Sequence, residues 1–415
     1  MLDKLFWAAP PRILGGWGSR RELAPLLRQQ GYRAALIVTD RFFTGKSPFV
    51  EELRQSLDQN GIDSLVFDGG IPDPTVDVCR QAEESVRTSG WSSRVDHVIS
   101  LGGGSNMDLA KMLSLTLKYG GRPQDYVGEG RIPGQPLPHI AVPTTAGTGS
   151  EITAGAILVD PDSATKVAVL ANDLRPRVAV IDPELTETCP PKVTAEAGMD
   201  ALTHAIESYL TQDATAFDRE GAVDPAYSGR NALTRQFAES AIGLCFSHLQ
   251  TAFEAGRDRN AREGMAAGSL YAALSYASAG LNAVHGLAYA LAGLTHASHG
   301  STNAVYLPYV MDSLLAVREQ DLATIARLAG EPDAAPSTLA RRAVVRTRDL
   351  VAAVDIPTTL RGFGVGEEHL DELVDNGLGV VRLTKAFPIQ PADAAYREIV
   401  HNAFHGRLNA ETQLA

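Results

Sequence analysis

The sequence predicts an α/β N-terminal domain built on a mainly parallel sheet, followed by an all-α C-terminal domain. Three observations carry this reading. Short apolar runs alternate with longer amphipathic segments through the first 187 residues, the pattern of strands joined by crossover helices. Beyond Pro190-Pro191 the texture changes and helical periodicity takes over. The chain has 415 residues, 44 % of them hydrophobic and 21 % charged, which suits two cores and excludes wholesale disorder. The expected domains are therefore 1–187 and 188–415.

The strands expected in the first domain are 35–39, 65–67, 95–101, 139–143, 157–159 and 178–181. Helical patterns lie between them at 20–30, 50–60, 76–89 and 107–118. In the second domain helices are expected at 195–210, 233–255, 264–281, 285–294, 303–315, 322–328 and 340–353. A polar, Gly- and Asp-containing stretch from Thr211 to Asn231 reads as a surface loop. The net charge of −12 argues against nucleic acid or an anionic membrane as the main partner. Residues 264–311 contain no Asp, Glu, Lys or Arg, yet their apolar runs are short and broken by Asn282, His285, His296 and His299. That segment is expected to be buried in protein rather than to face lipid. Cys79, Cys189 and Cys245 are far apart and odd in number, so no disulfide framework or Cys-based metal site is expected. With no basic, apolar leader at the N-terminus, the expected location is cytoplasmic.

Two clusters in the first domain can cradle phosphate. Val98-Ile-Ser-Leu101 runs into Gly102, Gly103, Gly104 and Ser105, then Asn106-Met107-Asp108. Glycines let the backbone approach a ligand closely, and the following helix turns its amides and positive dipole end toward an anion. The spacing is neither GxGxxG nor GxxxxGK[ST], and Ser105-x-x-Asp108 also reads as a simple capping pair. The second cluster, Pro143-Thr144-Thr145-Ala146-Gly147-Thr148-Gly149-Ser150-Glu151, adds four hydroxyls and two glycines after a strand. Asp40 ends the first long strand, where a carboxylate can meet a ribose hydroxyl or merely form a turn.

The second domain carries metal-ligand chemistry. Asp200 and His204 are four apart, hence on one helix face. His285 and His299 fall in the uncharged segment, where a buried imidazole needs a partner. One carboxylate with three imidazoles suits Fe²⁺ or Zn²⁺ and leaves room for a substrate oxygen. His296 is a confounder three residues before His299. His97, His139, His248, His369, His401 and His405 sit in polar or terminal contexts and read as incidental.

In order, Gly-Gly-Gly-Ser-x-x-Asp, Pro-Thr-Thr-Ala-Gly-Thr-Gly-Ser-Glu, Gly-Met-Asp-Ala-Leu-Thr-His-Ala-Ile-Glu, Val-His-Gly-Leu-Ala and Ser-His-Gly make a specific combination. The chain resembles the iron-containing (group III) alcohol dehydrogenase family, from Asp40 to the Arg382-Leu-Thr-Lys385 tail. The resemblance implies an active site in a cleft between the two domains, with Asp200, His204, His285 and His299 as metal ligands. It implies cofactor contacts from Asp40, Gly102, Gly103, Gly104, Ser105, Asp108, Thr144, Thr145, Thr148 and Lys166. NAD is expected over NADP, because a 2′-phosphate would meet the charge of Asp40. The metal implied is Fe²⁺, with Zn²⁺ as the alternative.

Three departures from the family pattern stand out. Tyr289 occupies a position where many members carry a second histidine, as it does in hydroxyacid–oxoacid transhydrogenases and phosphonoacetaldehyde reductases. Asp73 replaces a usual asparagine, and the loop 214–230 is long. The reaction implied is NAD(P)-linked interconversion of a small alcohol with an aldehyde or ketone by hydride transfer. Tyr289 is the candidate catalytic proton donor, and a carboxylate- or phosphonate-bearing substrate would need a cation such as Arg382 or Lys385. A hydroxyacid–oxoacid transhydrogenase and a dehydroquinate-synthase-like NAD-using lyase are the alternatives. A homo-oligomer stays open as the assembly.

Overall fold

The structure, a computed structural model, describes residues 5–162 and 165–412. The chain forms two compact units. One comprises 8–188 together with Ala222–Ala226; the other comprises 5–7, Cys189–Gly221 and 227–412.

Among the described residues the first unit contains nine strands: β1 (Ile13–Gly15), β2 (Ala34–Val38), β3 (Asp63–Phe67), β4 (His97–Gly102), β5 (Gly128–Glu129), β6 (His139–Pro143), β7 (Gly155–Asp160), β8 (Thr165–Leu170) and β9 (Val178–Ile181). Six make one sheet in the order β1-β9-β6-β4-β2-β3, every pairing parallel. Side chains alternate between its faces as the pleat requires. Leu36, Val38 and Val98 pack with Cys79, Val86, Leu109 and Leu113 of the helices Val76–Thr88 and Gly104–Tyr119. Ala35, Ile37, Ile99, Leu101, Ile140 and Val142 pack on the other side with Leu23, Leu27, Leu53 and Leu57. Burying each such Leu, Ile or Val contributes about 1.5–3 kcal/mol, which is why these strands read as continuous apolar runs.

β5, β8 and β7 form a separate three-stranded sheet in that order. The sequence signalled β7 but not its antiparallel partner β8, in which Val167 faces Leu158 and Lys166 faces Val159. β1 and β5 are three and two residues long, too short for any periodicity.

The second unit is helical. Its long helices are Pro191–Leu210, Ala232–Glu254, Arg259–Ala279, Ala283–Thr295, His299–Ser313, Glu319–Leu328 and Pro336–Ala353. Pro191 opens the first, where a missing N–H costs nothing. Gly280, at φ +93°, ends the third, two residues before the expected stop. The helices Leu370–Leu378 and Asp393–His405 were not anticipated. The stretch 211–231 is only partly a surface loop: Ser228, Arg230 and Asn231 are buried. Arg230 ties that end inward through Asp213 at 2.9 Å, Asp321 at 2.6 Å and the Tyr209 carbonyl at 2.6 Å. No helix among the described residues is long and apolar enough to cross a membrane.

Candidate active site

In the α/β unit the two Gly- and Thr-containing clusters lie against each other. β4 ends at Gly102, whose φ of +151° favours glycine, and a Cβ there would sit 2.0 Å from Asn106 Nδ2. Gly103 is the N-cap of helix Gly104–Tyr119, and no side chain caps that helix. A Cβ on Gly104 would lie 2.8 Å from Thr148, whereas one on Gly103 would meet Thr145 only at ordinary contact, 3.6 Å. The Thr144 amide donates to the Gly102 carbonyl at 3.0 Å. The result is a narrow turn flanked by the hydroxyls of Thr145 and Thr148 at the positive end of a 16-residue helix. Its donors and its lack of Cβ atoms fit a pyrophosphate.

Asp108 does not act as the capping partner of Ser105. Its carboxylate accepts from Ser150 Oγ at 2.6 Å and from the Ile157 amide at 3.0 Å, tying the helix to the second cluster and to β7. Lys111, one turn on, is fully buried and donates to Ser150 Oγ, Thr153 Oγ1 and the Gly155 carbonyl at 2.9, 3.1 and 2.7 Å. Burial lowers its pKa to about 8. Glu151, buried beside it, is raised to about 7, chiefly by desolvation. Ser105 Oγ accepts from the Asp73 amide at 3.3 Å. Asp73 has φ +45°, a left-handed conformation that both Asn and Asp tolerate. Asp40 N-caps Arg41–Gly45 by accepting from the Phe42 amide at 2.9 Å, and its Oδ2 accepts from Asn106 at 2.8 Å. The turn-forming role is therefore present, and the side chain is joined to the glycine turn through Asn106. Lys166 has its backbone in β8; its side chain lies outside the described residues.

In the helical unit the ligating atoms of Asp200, His204, His285 and His299 all lie within 4.8 Å of one another. Asp200 Oδ1 is 3.6 Å from His204 Nε2, 3.9 Å from His285 Nε2 and 3.7 Å from His299 Nε2. Separations of this size suit ligands reaching one ion through bonds of roughly 2.0–2.2 Å, and the nitrogen-rich, singly anionic set fits a divalent first-row metal. Three helices supply it: Pro191–Leu210, Ala283–Thr295 and His299–Ser313. Gly300 permits the close crossing, since a Cβ there would lie 2.2 Å from the Glu196 carbonyl. Asp200, His204 and His285 side chains are 1–4 % exposed and His299 is 36 %, so the cluster opens at His299. The His204 ring is stacked on Tyr276 at 4.1 Å and on His285 at 4.8 Å.

Two residues here were not singled out from sequence. Glu207 is buried and hydrogen-bonds His285 Nδ1 through Oε2, while its Oε1 accepts from the amides of Val284 at 2.7 Å and Asn282 at 3.2 Å. It thereby fixes the His285 tautomer that presents Nε2. Asn303, one turn after His299, places its amide 2.8 Å from Asp200 Oδ1 and 3.1 Å from His299 Nε2. The available signal was helical spacing: Glu207 is seven residues after Asp200, Asn303 four after His299.

Tyr289 is half-buried, stacked on His299 at 5.7 Å and edge-on to His285 at 6.4 Å. Its phenol is hydrogen-bonded to Arg382, and burial raises its pKa against the opposing pull of that guanidinium. Lys385 instead pairs with Glu220 at 2.7 Å. His296 is exposed, at φ +55° on the end of its helix, and takes no part in the cluster. His97 and His139, expected to be incidental, are buried at the first residues of β4 and β6, paired with Asp96 and Ser100 respectively. β4 and β6 are central strands whose first residues are covered, which the polar surroundings in sequence did not reveal.

The chain thus carries a parallel sheet with a glycine turn in one unit and an Asp-His₃ cluster in the other. Residues 10–183 match the model described as iron-containing alcohol dehydrogenase, and residues 226–404 match the C-terminal model of the Fe-containing alcohol dehydrogenase family. The chain is 35 % identical over 404 residues to long-chain-alcohol dehydrogenase 1 of Geobacillus thermodenitrificans (strain NG80-2), covering 96 % of each. It is 33 % identical over 405 residues to the NAD-dependent methanol dehydrogenase of Bacillus methanolicus, covering 95 % of this chain and 98 % of that one. The crystal structure of sulfoacetaldehyde reductase from Bifidobacterium kashiwanohense, in complex with NAD⁺, superposes with a TM-score of 0.83 at 27 % identity, covering 97 % and 99 %. The chain belongs to the iron-containing alcohol dehydrogenase family. It is an alcohol dehydrogenase of the iron type.

Proposed function

We propose that this enzyme interconverts a small alcohol with its aldehyde or ketone, using NAD and one divalent ion held by Asp200, His204, His285 and His299. The observation that carries the reading is the convergence of three imidazole Nε2 atoms on Asp200 Oδ1. Fe²⁺ is the proposed ion, following the family's description, and Zn²⁺ suits the same donors. When bound, the ion supplies Lewis-acid polarisation of a substrate oxygen and the nicotinamide supplies the hydride.

The chain's own side chains then have assignable tasks. Asp200 contributes the single negative charge, and Glu207 holds His285 with Nε2 available. The exposed edge at His299 is the approach side. Tyr289 exchanges a proton at its Oη, directly or through water, and burial keeps the phenol protonated at neutral pH. The glycine turn 102–104 with Ser105, Thr144, Thr145 and Thr148 takes the pyrophosphate, Asp108 positions the second cluster, and Lys166 is a further proposed contact. Asp40 is proposed to hydrogen-bond the ribose and to repel a 2′-phosphate. A carboxylate or phosphonate on the substrate is a finer reading, supported by the sulfoacetaldehyde substrate named for one relative. A reducing, cytoplasmic setting is part of the proposal, in keeping with three widely separated cysteines.

The test is metal-reconstituted protein with NAD or NADP and a panel of short alcohols, following net NADH production alongside elemental analysis. About one ion per chain is expected, lost together with activity in His285→Ala. NAD should be preferred over NADP by about tenfold to a hundredfold, a gap that Asp40→Gly narrows. Full metal content in His285→Ala overturns the ligand set, and absence of net NADH with every alcohol favours a transhydrogenase.

A further inference from the structure

The surroundings of Arg382 point to a substrate class. Arg382 lies on the short helix Val381–Thr384, partly buried, with its Nη1 3.4 Å from Tyr227 Oη and its guanidinium 5.8 Å from the centre of that ring. Its other partner is the phenol of Tyr289. Several partly buried arginines of this unit are matched with acids, while Arg262 is held by Thr194 Oγ1 and by the Gly256 and Cys189 carbonyls. Arg230 has Asp213 and Asp321, Arg235 has Asp321 at 2.9 Å, and Arg318 has Asp213 at 3.3 Å. No carboxylate among the described residues pairs with Arg382. Two neutral phenols orient the guanidinium without cancelling its charge, and a partly desolvated cation in that state attracts an anion strongly.

Its position is what gives this charge a use. Tyr289 touches Arg382 with its hydroxyl and stacks on His299 with its ring, at 5.7 Å. One tyrosine ring therefore separates a cation from the open edge of the Asp-His₃ cluster. Lys385, the neighbouring cation, is already neutralised by Glu220. Tyr289 also lines a cavity of about 450 Å³ whose one charged wall residue is Glu372, so an anion is repelled from that side.

We infer that Arg382, set by Tyr227 and Tyr289, is the specificity-determining residue of the active site. It binds an anionic oxyacid group at the far end of a short aldehyde or alcohol whose reacting carbon lies at the Asp-His₃ cluster. A carboxylate, sulfonate or phosphonate presents the oxygens that a guanidinium fork recognises. This inference rests on the reading of that cluster as the catalytic centre.

The experiment compares succinic semialdehyde, a sulfonate aldehyde of similar length, and butanal as NADH-linked substrates, for the natural enzyme, Arg382→Gln and Arg382→Lys. The natural enzyme should favour at least one anionic aldehyde over butanal by about tenfold or more in kcat/KM. Arg382→Gln should lose at least about tenfold more on that aldehyde than on butanal, mainly through KM, and Arg382→Lys should recover part of it. The arm that responds distinguishes carboxylate from sulfonate. Equal use of all three aldehydes by the natural enzyme overturns the inference, as does an equal loss on all three in Arg382→Gln. If no aldehyde is turned over, the dehydrogenase reading fails. Equilibrium binding of succinate then decides the anion site separately, and equal affinity of the natural protein and Arg382→Gln overturns it.

Discussion

In the α/β unit the candidate site is made of main chain and hydroxyls: Gly102 to Gly104, Thr145 and Thr148. Asp108 and Lys111 are tied to Ser150, Thr153 and β7 and act as clamps, while the Asp40 carboxylate is joined to the turn through Asn106. In the helical unit the reverse holds. The chemistry is in side-chain tips from three helices, and the close backbone approach at Gly300 only brings them together. The difference teaches where each site is fragile. A site built from backbone fails when an atom is added; a site built from side-chain donors fails when a proton or a lone pair is misplaced.

The largest expected effect follows from the second kind of fragility. Glu207→Gln keeps the volume and the bond from the Val284 amide, but its amide N–H faces His285 Nδ1 and favours the tautomer protonated at Nε2. Metal affinity, read by competition with a chelator, should fall about 10- to 100-fold with the fold intact. Unchanged affinity would show that the cluster does not depend on the His285 proton. A smaller effect tests the first kind. Gly104→Ala drives a Cβ to 2.8 Å from Thr148 and should weaken NADH binding about tenfold in a fluorescence titration, with metal content unaltered. Gly103→Ala, meeting Thr145 at 3.6 Å, should change little, and equal losses for the two would remove the steric argument.

The smallest effect concerns the clamp. Glu151 has a folded-state pKa of about 7, above its ordinary 4.5, so the folded protein holds the extra proton between those values. Its contribution to stability is complete below about pH 4.5 and is lost as pH rises through 7. Glu151→Gln removes that loss and should raise stability at pH 8 by about 1–2 kcal/mol relative to its effect at pH 5. A pH-independent difference in denaturant midpoints would place the Glu151 charge outside the clamp's energetics.

Legibility from sequence followed the same division. Asp200 and His204 stood out by their spacing of four on one helix, His285 and His299 because imidazoles in an uncharged segment have few reasons to be there, and the structure brings all four together. Glu207 shares the helix with two of them and falls seven residues after Asp200, but that spacing does not name its partner, which is 78 residues away. Of the two readings open for Asp108, the capping pair is the one the structure does not form. At its position a carboxylate can serve the helix start or reach sideways to β7, and only the packing of β7 decides. The central strands were plain because both sheet faces are buried, while β1 and β5 are too short to carry a period and β8 is paired only in the small second sheet. The helices Leu370–Leu378 and Asp393–His405 are short amphipathic pieces in a tail broken by glycines and prolines.

The division of the chain into units has a consequence for how the molecule is made. Trp7 belongs with the helical unit, where its indole donates to the Leu274 carbonyl at 2.9 Å and stacks on Phe237 at 5.9 Å. Ala222–Ala226 belongs with the α/β unit, where the Ala226 amide donates to Glu129 at 2.7 Å and Asn172 donates to Asp224 at 2.7 Å. The polypeptide thus passes between units after Trp7, Thr188, Gly221 and Ala226. During synthesis Trp7 waits for a partner 267 residues downstream, and the α/β unit acquires its last piece only after the first helix of the other has left the ribosome. A fragment ending at Thr188 is accordingly an unfinished unit rather than a domain, and a fragment beginning at Cys189 lacks the indole that closes its own.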